Sequence, residues 1–426
     1  MPPIADHPLR YQLANELHAR PFPAVSAPGR AVYLAIKRPE EAESHDWQDD
    51  LAHLITLLDR HGTDHPKPGA THWSGQIGKH RLKWESHTEF VTYTVFLDGP
   101  GAKPFDPDDF GVFPEDWLDA APGQRITSAL IRIEQRPAHE TVAERICEWF
   151  VSESVAVSRV QDDCAVVAGD FRIDPAGHMR FAIFAGEATG RRRIGRIVQR
   201  LAEVETYKTM AMLGFQRVKA LAPRMGEIDK ELSRLMSGMT DRAAPAEETL
   251  QALLAVSAEL ESLSAQSSFR FGATAAYEAI VHQRIEVMRE EHFEGRQTFD
   301  EFMMRRFDPA MRTVKSTQAR LQTMADRAMR AGDLLRTRVD VARSAQNQAL
   351  LESMDRRADL QLRLQKTVEG FSVVAISYYA VSLLGYLLYP MAEPLGVSKG
   401  IVTAGITLPV VAIVFLAIRR IRVRID

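Results

Sequence analysis

The side chains best suited to chemistry in this sequence are two glutamates and a histidine in the stretch KWESHTEF. If the stretch is a β-strand, alternate side chains share one face, so Glu85, His87 and Glu89 lie together. Carboxylate and imidazole groups in this arrangement could bind a divalent metal ion or transfer a proton. The same side chains could instead occupy an ordinary strand face and pair with Arg81 or Lys83, and the sequence leaves this alternative open.

A second group of polar side chains lies inside apolar sequence near the C-terminus. Hydroxyls on such helices either line a hydrated path or pack one helix against another. The candidates are Tyr378, Ser382, Tyr389, Thr403 and Thr407. Glu369, at the start of the first apolar run, could contribute to an acidic ring that attracts cations in an oligomer, or could remain a simple interfacial carboxylate.

The apolar runs themselves predict two transmembrane helices within residues 367–418. Residues 370–389 and 400–418 contain no charged side chain, and about 20 helical residues span a hydrocarbon core of about 30 Å. Pro390 is expected to end the first helix. Basic residues lie before the first run and after the second, so both chain ends are expected in the cytoplasm of a bacterium, with the hairpin in its inner membrane. The basic tail, 419–426, is expected to contact lipid headgroups through Arg419, Arg420, Arg422 and Arg424.

The rest of the chain must position these groups, and its pattern predicts an α+β protein. Residues 1–188 read as a cytosolic mixed α/β domain, and residues 189–366 as a helical region. The predicted strands cover 30–38, 71–99 with a turn at Gly78, 126–134, 164–173 and 179–185, and a helix is predicted at 46–62. Further helices are predicted at 190–214, 226–236, 247–266 and 274–293. A long coiled-coil-like stalk helix then runs from about Pro309 into the first apolar run and needs neighbours for its apolar seam, which favours a homo-oligomer.

Composition excludes several classes of function. The net charge of −3 argues against general nucleic-acid binding. Cys147 and Cys164 have neither the number nor the spacing of a disulfide framework or a zinc site. The sequence lacks the GxGxxG, GxxxxGK[ST], GxSxG and HExxH motifs, so no cofactor and no catalytic activity are expected.

Four separated blocks carry a resemblance to a known family: HPLRYQLANELHARP, KWESHTEFVTYT, GRIVQRLAEVETYKTMAML and LLRTRVDVARSAQNQALLESMDRRADLQLRLQKTVEGFSVVAISYY. They resemble a bacterial family of predicted membrane-anchored proteins whose function is undefined. The resemblance covers nearly the whole chain and implies a shared architecture. The layout is also similar to that of CorA magnesium channels, but their Gly-Met-Asn signature is absent where this chain reads LLYPMAEP.

These observations predict a membrane-anchored scaffold or sensor without catalytic activity. Its expected partners are the lipid bilayer, further copies of the chain and an unidentified protein. The alternative is a divalent-cation channel or transporter of CorA-like layout that lacks the usual signature. A third hypothesis, a membrane-tethered metal-dependent enzyme, would depend on Glu85, His87 and Glu89.

Overall fold

A computed structural model describes residues 4–11, 22–38, 47–239, 246–392 and 398–425 of the chain. The chain forms two compact units: the first comprises Met1–Asp241 and Gln251–Ala331, and the second comprises Arg242–Leu250 and Gly332–Asp426. The domain boundaries at 188 and 366 follow sequence composition rather than compactness, and they stay a prediction.

A mixed sheet of nine strands forms the centre of the first unit, counting the strands that the described residues contain. The strands are β1 (Gly29–Lys37), β2 (His72–Ile77), β3 (His80–Ser86), β4 (Phe90–Asp98), β5 (Gln124–Gln135), β6 (Ala156–Val160), β7 (Ala165–Gly169), β8 (Met179–Ala185) and β9 (Glu291–His292). Their order in the sheet is β2-β3-β4-β1-β5-β8-β7-β6-β9. Only β5 and β8 pair in parallel, and all other neighbours are antiparallel.

Helices make up most of the remaining described chain. They are α1 (Trp47–Arg60), α2 (Glu115–Asp119), α3 (His139–Trp149), α4 (Arg191–Gly238), α5 (Ala246–Glu286), α6 (Phe299–Arg306), α7 (Asp308–Ala392) and α8 (Lys399–Ile425). The first turn of α6 has a complete capping box, in which Thr298 and Glu301 satisfy each other's backbone N–H groups.

The predicted α+β class is confirmed, and every predicted strand region contains a strand. The patterns missed β6, β9, α2 and α3. The helices predicted at 190–214 and 226–236 are one helix, α4, so their separation was wrong. Pro223 does not end α4 because buried apolar residues, among them Leu221 and Met225, continue at helical spacing on both sides of it. The helices predicted at 247–266 and 274–293 are likewise one helix, α5, and the predicted end at 293 was wrong because α5 ends at Glu286 and β9 follows.

The two faces of the sheet differ in chemistry. On one face, Leu34, Trp84 and Tyr93 belong to an apolar core that also contains Leu54 of α1 and Trp117 of α2. On the other face, the alternate residues of the same strands are largely polar, although they are also buried. They include Tyr33, Lys83, Glu85, Thr92 and Thr94. The period of two along each strand therefore separates an apolar layer from a polar layer.

In the second unit, α7 and α8 each contain a stretch long and apolar enough to cross a membrane, and only 6% of each stretch is buried. The low burial distinguishes these stretches from core helices of a soluble protein and suggests a membrane anchor. The two predicted apolar helices are confirmed. Helix α7 continues through Pro390 to Ala392, and α8 extends through the arginine-rich tail to Ile425.

Candidate functional site

The polar face of the sheet contains the first of the predicted site residues, Glu85. Lys83 and Glu85 are two residues apart on β3, and Lys83 Nζ lies 2.9 Å from Glu85 Oε2. Lys83 also donates a hydrogen bond of 2.8 Å to Gln199 Oε1 of α4. Both charged side chains are buried, so each offsets the cost of burying the other. The pairing with Lys83 that the sequence left open is the arrangement observed for Glu85.

Glu89 lies in the turn between β3 and β4 and has a different set of partners. Both of its carboxylate oxygens accept hydrogen bonds from Arg270 of α5, at 3.3 Å and 2.5 Å. The phenol of Tyr277, two turns further along α5, donates to Glu89 Oε1 at 2.8 Å. Burial and the bond to Glu89 raise the pKa of Tyr277. Glu89 is therefore part of a buried clamp between the sheet and α5.

His87 lies just beyond the end of β3, so the strand alternation stops before it. Its ring stacks on Phe90 with 4.4 Å between centroids and meets the Tyr207 ring edge-on at 6.2 Å. Glu85 and His87 line one small cavity, whereas Glu89 is not among its lining residues. Within the described part of the chain, no group of three or more His, Cys, Asp or Glu side chains could hold a metal ion. The metal-binding hypothesis for this triplet gains no support.

Helix α4 closes this cavity with its own polar side chains. Tyr33 and Thr206 share a hydrogen bond of 2.6 Å between their hydroxyls, and burial raises the pKa of Tyr33. Glu203 is paired with Arg284 of α5, and the fully buried Glu205 lies 3.0 Å from Lys208. The carboxylates therefore have cationic partners, and the network holds the sheet, α4 and α5 together.

In the second unit, the predicted hydroxyl residues meet along one groove between α7 and α8. Tyr378 and Ser382 of α7 line it together with Thr403 and Thr407 of α8. Ser377 also lines the groove and is buried. The side chain of the remaining candidate, Tyr389, lies outside the described residues. The fold thus brings together four predicted residues from two helices. Their spacing in the sequence did not establish that they share one groove.

Glu369 is separate from this group. It lines a wider crevice with Gln365, Ser372 and Ile376 of α7 and with Ile418 of α8. Ile418 directly precedes Arg419 and Arg420, whose side chains are exposed. The side chains of Arg422 and Arg424 lie outside the described residues. The acidic residue and the start of the basic tail therefore occur at the same end of the two-helix hairpin.

The middle of α7 is fully exposed, including its large apolar side chains. All residues from 340 to 368 are exposed. The large apolar side chains among them are Val341, Leu350, Leu351, Met354, Leu360, Leu362, Leu364 and Val368. At 100° per residue, most of these from Leu350 onward share one side of the helix, which also carries Arg357. The charged residues on the other side are Glu352, Asp355, Asp359, Arg363 and Lys366. We call residues 340–368 the exposed segment.

Fold and surface together define a class: a mixed α+β protein with a long helix leading into two apolar C-terminal helices, as in a membrane-anchored protein. The chain belongs to the family described as "Protein of unknown function (DUF3422)", whose model matches residues 5–425. The resemblance to an uncharacterised family is confirmed, whereas the likeness to CorA channels gains no support. No curated protein matches the chain.

Sequence reasoning missed one residue that matters to these sites. Arg270 lies 181 positions from Glu89, and no local pattern marks it as the partner. The one available signal in the sequence was that Arg270 occurs among apolar positions of a predicted helical region. Ser377 adjoins the predicted stripe, and its small side chain lies one turn before Val381 on the side that faces α8.

Proposed function

We propose that this protein is a non-enzymatic scaffold or sensor of the bacterial inner membrane, anchored by α7 and α8, that acts as an oligomer of identical chains. The exposed segment of α7 is the observation that carries the proposal. A contiguous apolar surface that is exposed to solvent is typical of an interaction site. A helix of this length in water also depends on packing for its stability.

A second copy is the partner that best fits the exposed segment. The apolar side is bordered by side chains of both charges, as in helices that pair lengthwise. Two copies anchored in one membrane by the same helices have α7 pointing in the same direction, so their apolar sides can meet in register. Charge flanking also supports the proposed orientation, with both chain ends in the cytoplasm.

The proposed absence of catalysis is supported by the chemistry of the polar network. Glu85 and Glu89 are each neutralised by a buried cation. A channel of CorA-like layout has less support, because the chain has LLYPMAEP in place of the Gly-Met-Asn signature. An unidentified protein partner would bind such an assembly at surfaces outside the exposed segment.

The test measures the mass of the full chain in lipid nanodiscs or mild detergent, by mass photometry and light scattering. The wild type should be oligomeric. Met354→Glu should shift the mass to that of the monomer, because it puts a carboxylate on the apolar side. Val341→Glu is the matched control: Val341 is as exposed as Met354, at 65% against 59%, but lies on the side of the helix opposite Leu350 and Val368. A monomeric wild type, or equal effects of both variants, would overturn the proposal.

A further inference from the structure

Five arginines form a cluster where α4 begins and α5 ends. Arg193, Arg196 and Arg200 are three and four residues apart on α4, so they share one side of that helix. Arg284 lies in the last turn of α5, and Arg289 follows the end of that helix. Burial lowers the pKa of Arg200, and the neighbouring arginines of the cluster lower it further, so the positive charges lie close together. We call these five residues the arginine cluster.

Two carboxylates pair with members of the arginine cluster, and both are fully engaged. Glu203 is paired through Oε2 with Arg284, and its Oε1 accepts a hydrogen bond of 2.7 Å from Gln199. Asp162 Oδ2 lies 2.6 Å from Arg289 Nη2. Two ion pairs among five arginines leave three positive charges uncompensated within the described part of the chain.

The three uncompensated charges are those on α4. Arg193, Arg196 and Arg200 form no ion pair with the residues that the structure describes, and their contacts are with neutral groups. Arg200 donates a hydrogen bond of 3.2 Å to the carbonyl oxygen of Val287. Arg196 lies over the ring of Phe22, 5.8 Å from its centroid, and its Nε is buried without a hydrogen-bond partner. Cations that are partly removed from water without an anion are unfavourable, so this side of α4 favours binding of an anion.

We propose that the arginine cluster binds a phosphate group. A guanidinium donates two parallel hydrogen bonds to phosphate oxygens, and this bidentate geometry provides both strength and specificity. A phosphate monoester carries a charge of about −1.5 to −2 at neutral pH, which matches three positive charges better than a single carboxylate does. Arg196 and Arg200 are half-buried, and charges interact more strongly away from bulk water. Arg193 and Arg289 are exposed, so the ligand can enter from solvent.

The phosphate group could belong to a soluble compound or to the headgroup of a phospholipid. Both present the same oxygens to the arginines, and separate probes distinguish them in one binding experiment. The arginine cluster lies entirely in the first unit, outside the exposed segment. Phosphate binding there goes beyond the proposed function and does not depend on whether the chain forms an oligomer.

Isothermal titration calorimetry of the full chain, in phosphatidylcholine nanodiscs at fixed ionic strength, tests the site. Pyrophosphate represents the soluble source, and glycerophosphoglycerol, the deacylated form of phosphatidylglycerol, represents the headgroup. At least one probe should bind saturably, and Arg196→Gln should raise its Kd by about tenfold because a charge-assisted contact is lost. Arg191→Gln is the matched control: it removes the same charge from the start of α4, but Arg191 lies on the opposite side of the helix from Arg200. The control should change Kd by less than about twofold, since solvent and salt screen the more distant charge.

A second variant keeps the test decisive if Arg196→Gln fails to fold. The Arg289 side chain is 62% exposed, so Arg289→Gln should leave the fold intact and still raise Kd. Tighter binding of pyrophosphate supports the proposal and assigns a soluble ligand, whereas tighter binding of glycerophosphoglycerol supports it and assigns a lipid headgroup. The proposal is refuted if neither probe binds saturably, or if Arg191→Gln weakens binding as much as the two cluster variants do.

Discussion

Arg270 of α5 donates to both carboxylate oxygens of Glu89, in the turn between β3 and β4. The two side chains are 4% and 1% exposed, so the ion pair is essentially removed from water. Removing one partner of such a pair leaves the other buried charge uncompensated. This costs far more free energy than removing one partner of a solvated pair.

Glu89→Gln should therefore destabilise the first unit by about 3–5 kcal/mol, lowering Tm by an amount on the order of 10 °C. Differential scanning fluorimetry of the detergent-solubilised full chain measures this change. Glu259→Gln is the control, because Glu259 accepts a similar two-bond contact from Arg224 at the surface. The control should change Tm far less. Similar losses in the two variants would show that burial does not govern the contribution of the Glu89 pair.

Gly214 allows α4 and α5 to approach closely. A Cβ at this position would lie 2.1 Å from Thr274 Oγ1, so Gly214→Ala should force the helices apart and cost about 1–3 kcal/mol. Gly226→Ala, on the same helix, meets nothing within 4 Å and should stabilise α4 by up to about 1 kcal/mol. Thermal unfolding of the two variants should thus give opposite signs, and the addition of Thr274→Ala should partly rescue the first. Two shifts of the same sign would contradict this account.

His53 should make stability depend on pH. Burial lowers its pKa from the ordinary 6.5, and the ring stacks on Trp117 at 3.9 Å. The unfolded chain takes up a proton below about pH 6.5 while the folded chain keeps His53 neutral. Its contribution to stability is therefore complete above that pH and is lost as the pH falls towards the lower folded-state pKa.

The Tm of the wild type should consequently fall between about pH 7.5 and about pH 5.5, and His53→Gln should reduce this fall. The fall should not vanish, because burial also lowers the pKa of His178. An unchanged pH profile in His53→Gln would show that His53 takes up its proton at the same pH in the folded and the unfolded chain.

Metal addition should leave the first unit unchanged. Glu85 and Glu89 are neutralised by Lys83 and Arg270, so a divalent ion would have to displace both cations. Titration with Mg²⁺, Mn²⁺ or Zn²⁺ should give no saturable rise in Tm. A saturable rise that His87→Ala abolishes would restore the metal-binding hypothesis.

The elements were predictable where one physical pattern dominates. Alternation in FVTYTVFLD predicted β4, and the uncharged runs predicted the apolar parts of α7 and α8. The break predicted between residues 214 and 226 was wrong because the buried stripe of α4 continues through it, past Pro223, and a single proline weakens a helix only locally. Strand β9 has only two residues, too few for any periodicity.

The site was harder to predict because its partners are remote. The sequence placed Glu85, His87 and Glu89 on one face, yet β3 ends at Ser86 and a turn carries the other two. The sheet supplies Lys83 locally, and this partner could be foreseen. Arg270 and Gln199 come from helices far along the chain, and only the folded arrangement of α4 and α5 brings them to the strands.

The contrast between the two faces of the sheet has a consequence for folding. Sliding β4 by one residue against β3 would turn Thr92 and Thr94 into the apolar layer and Val91 and Tyr93 towards Lys83 and Glu85. Each change is costly by itself. Moving the threonines into the apolar layer removes the partners of their hydroxyls, and moving Val91 and Tyr93 leaves the charges of Lys83 and Glu85 facing hydrocarbon. Both faces of the sheet therefore destabilise a misaligned pairing. In a sheet with one solvent-exposed face, only the buried face would do so.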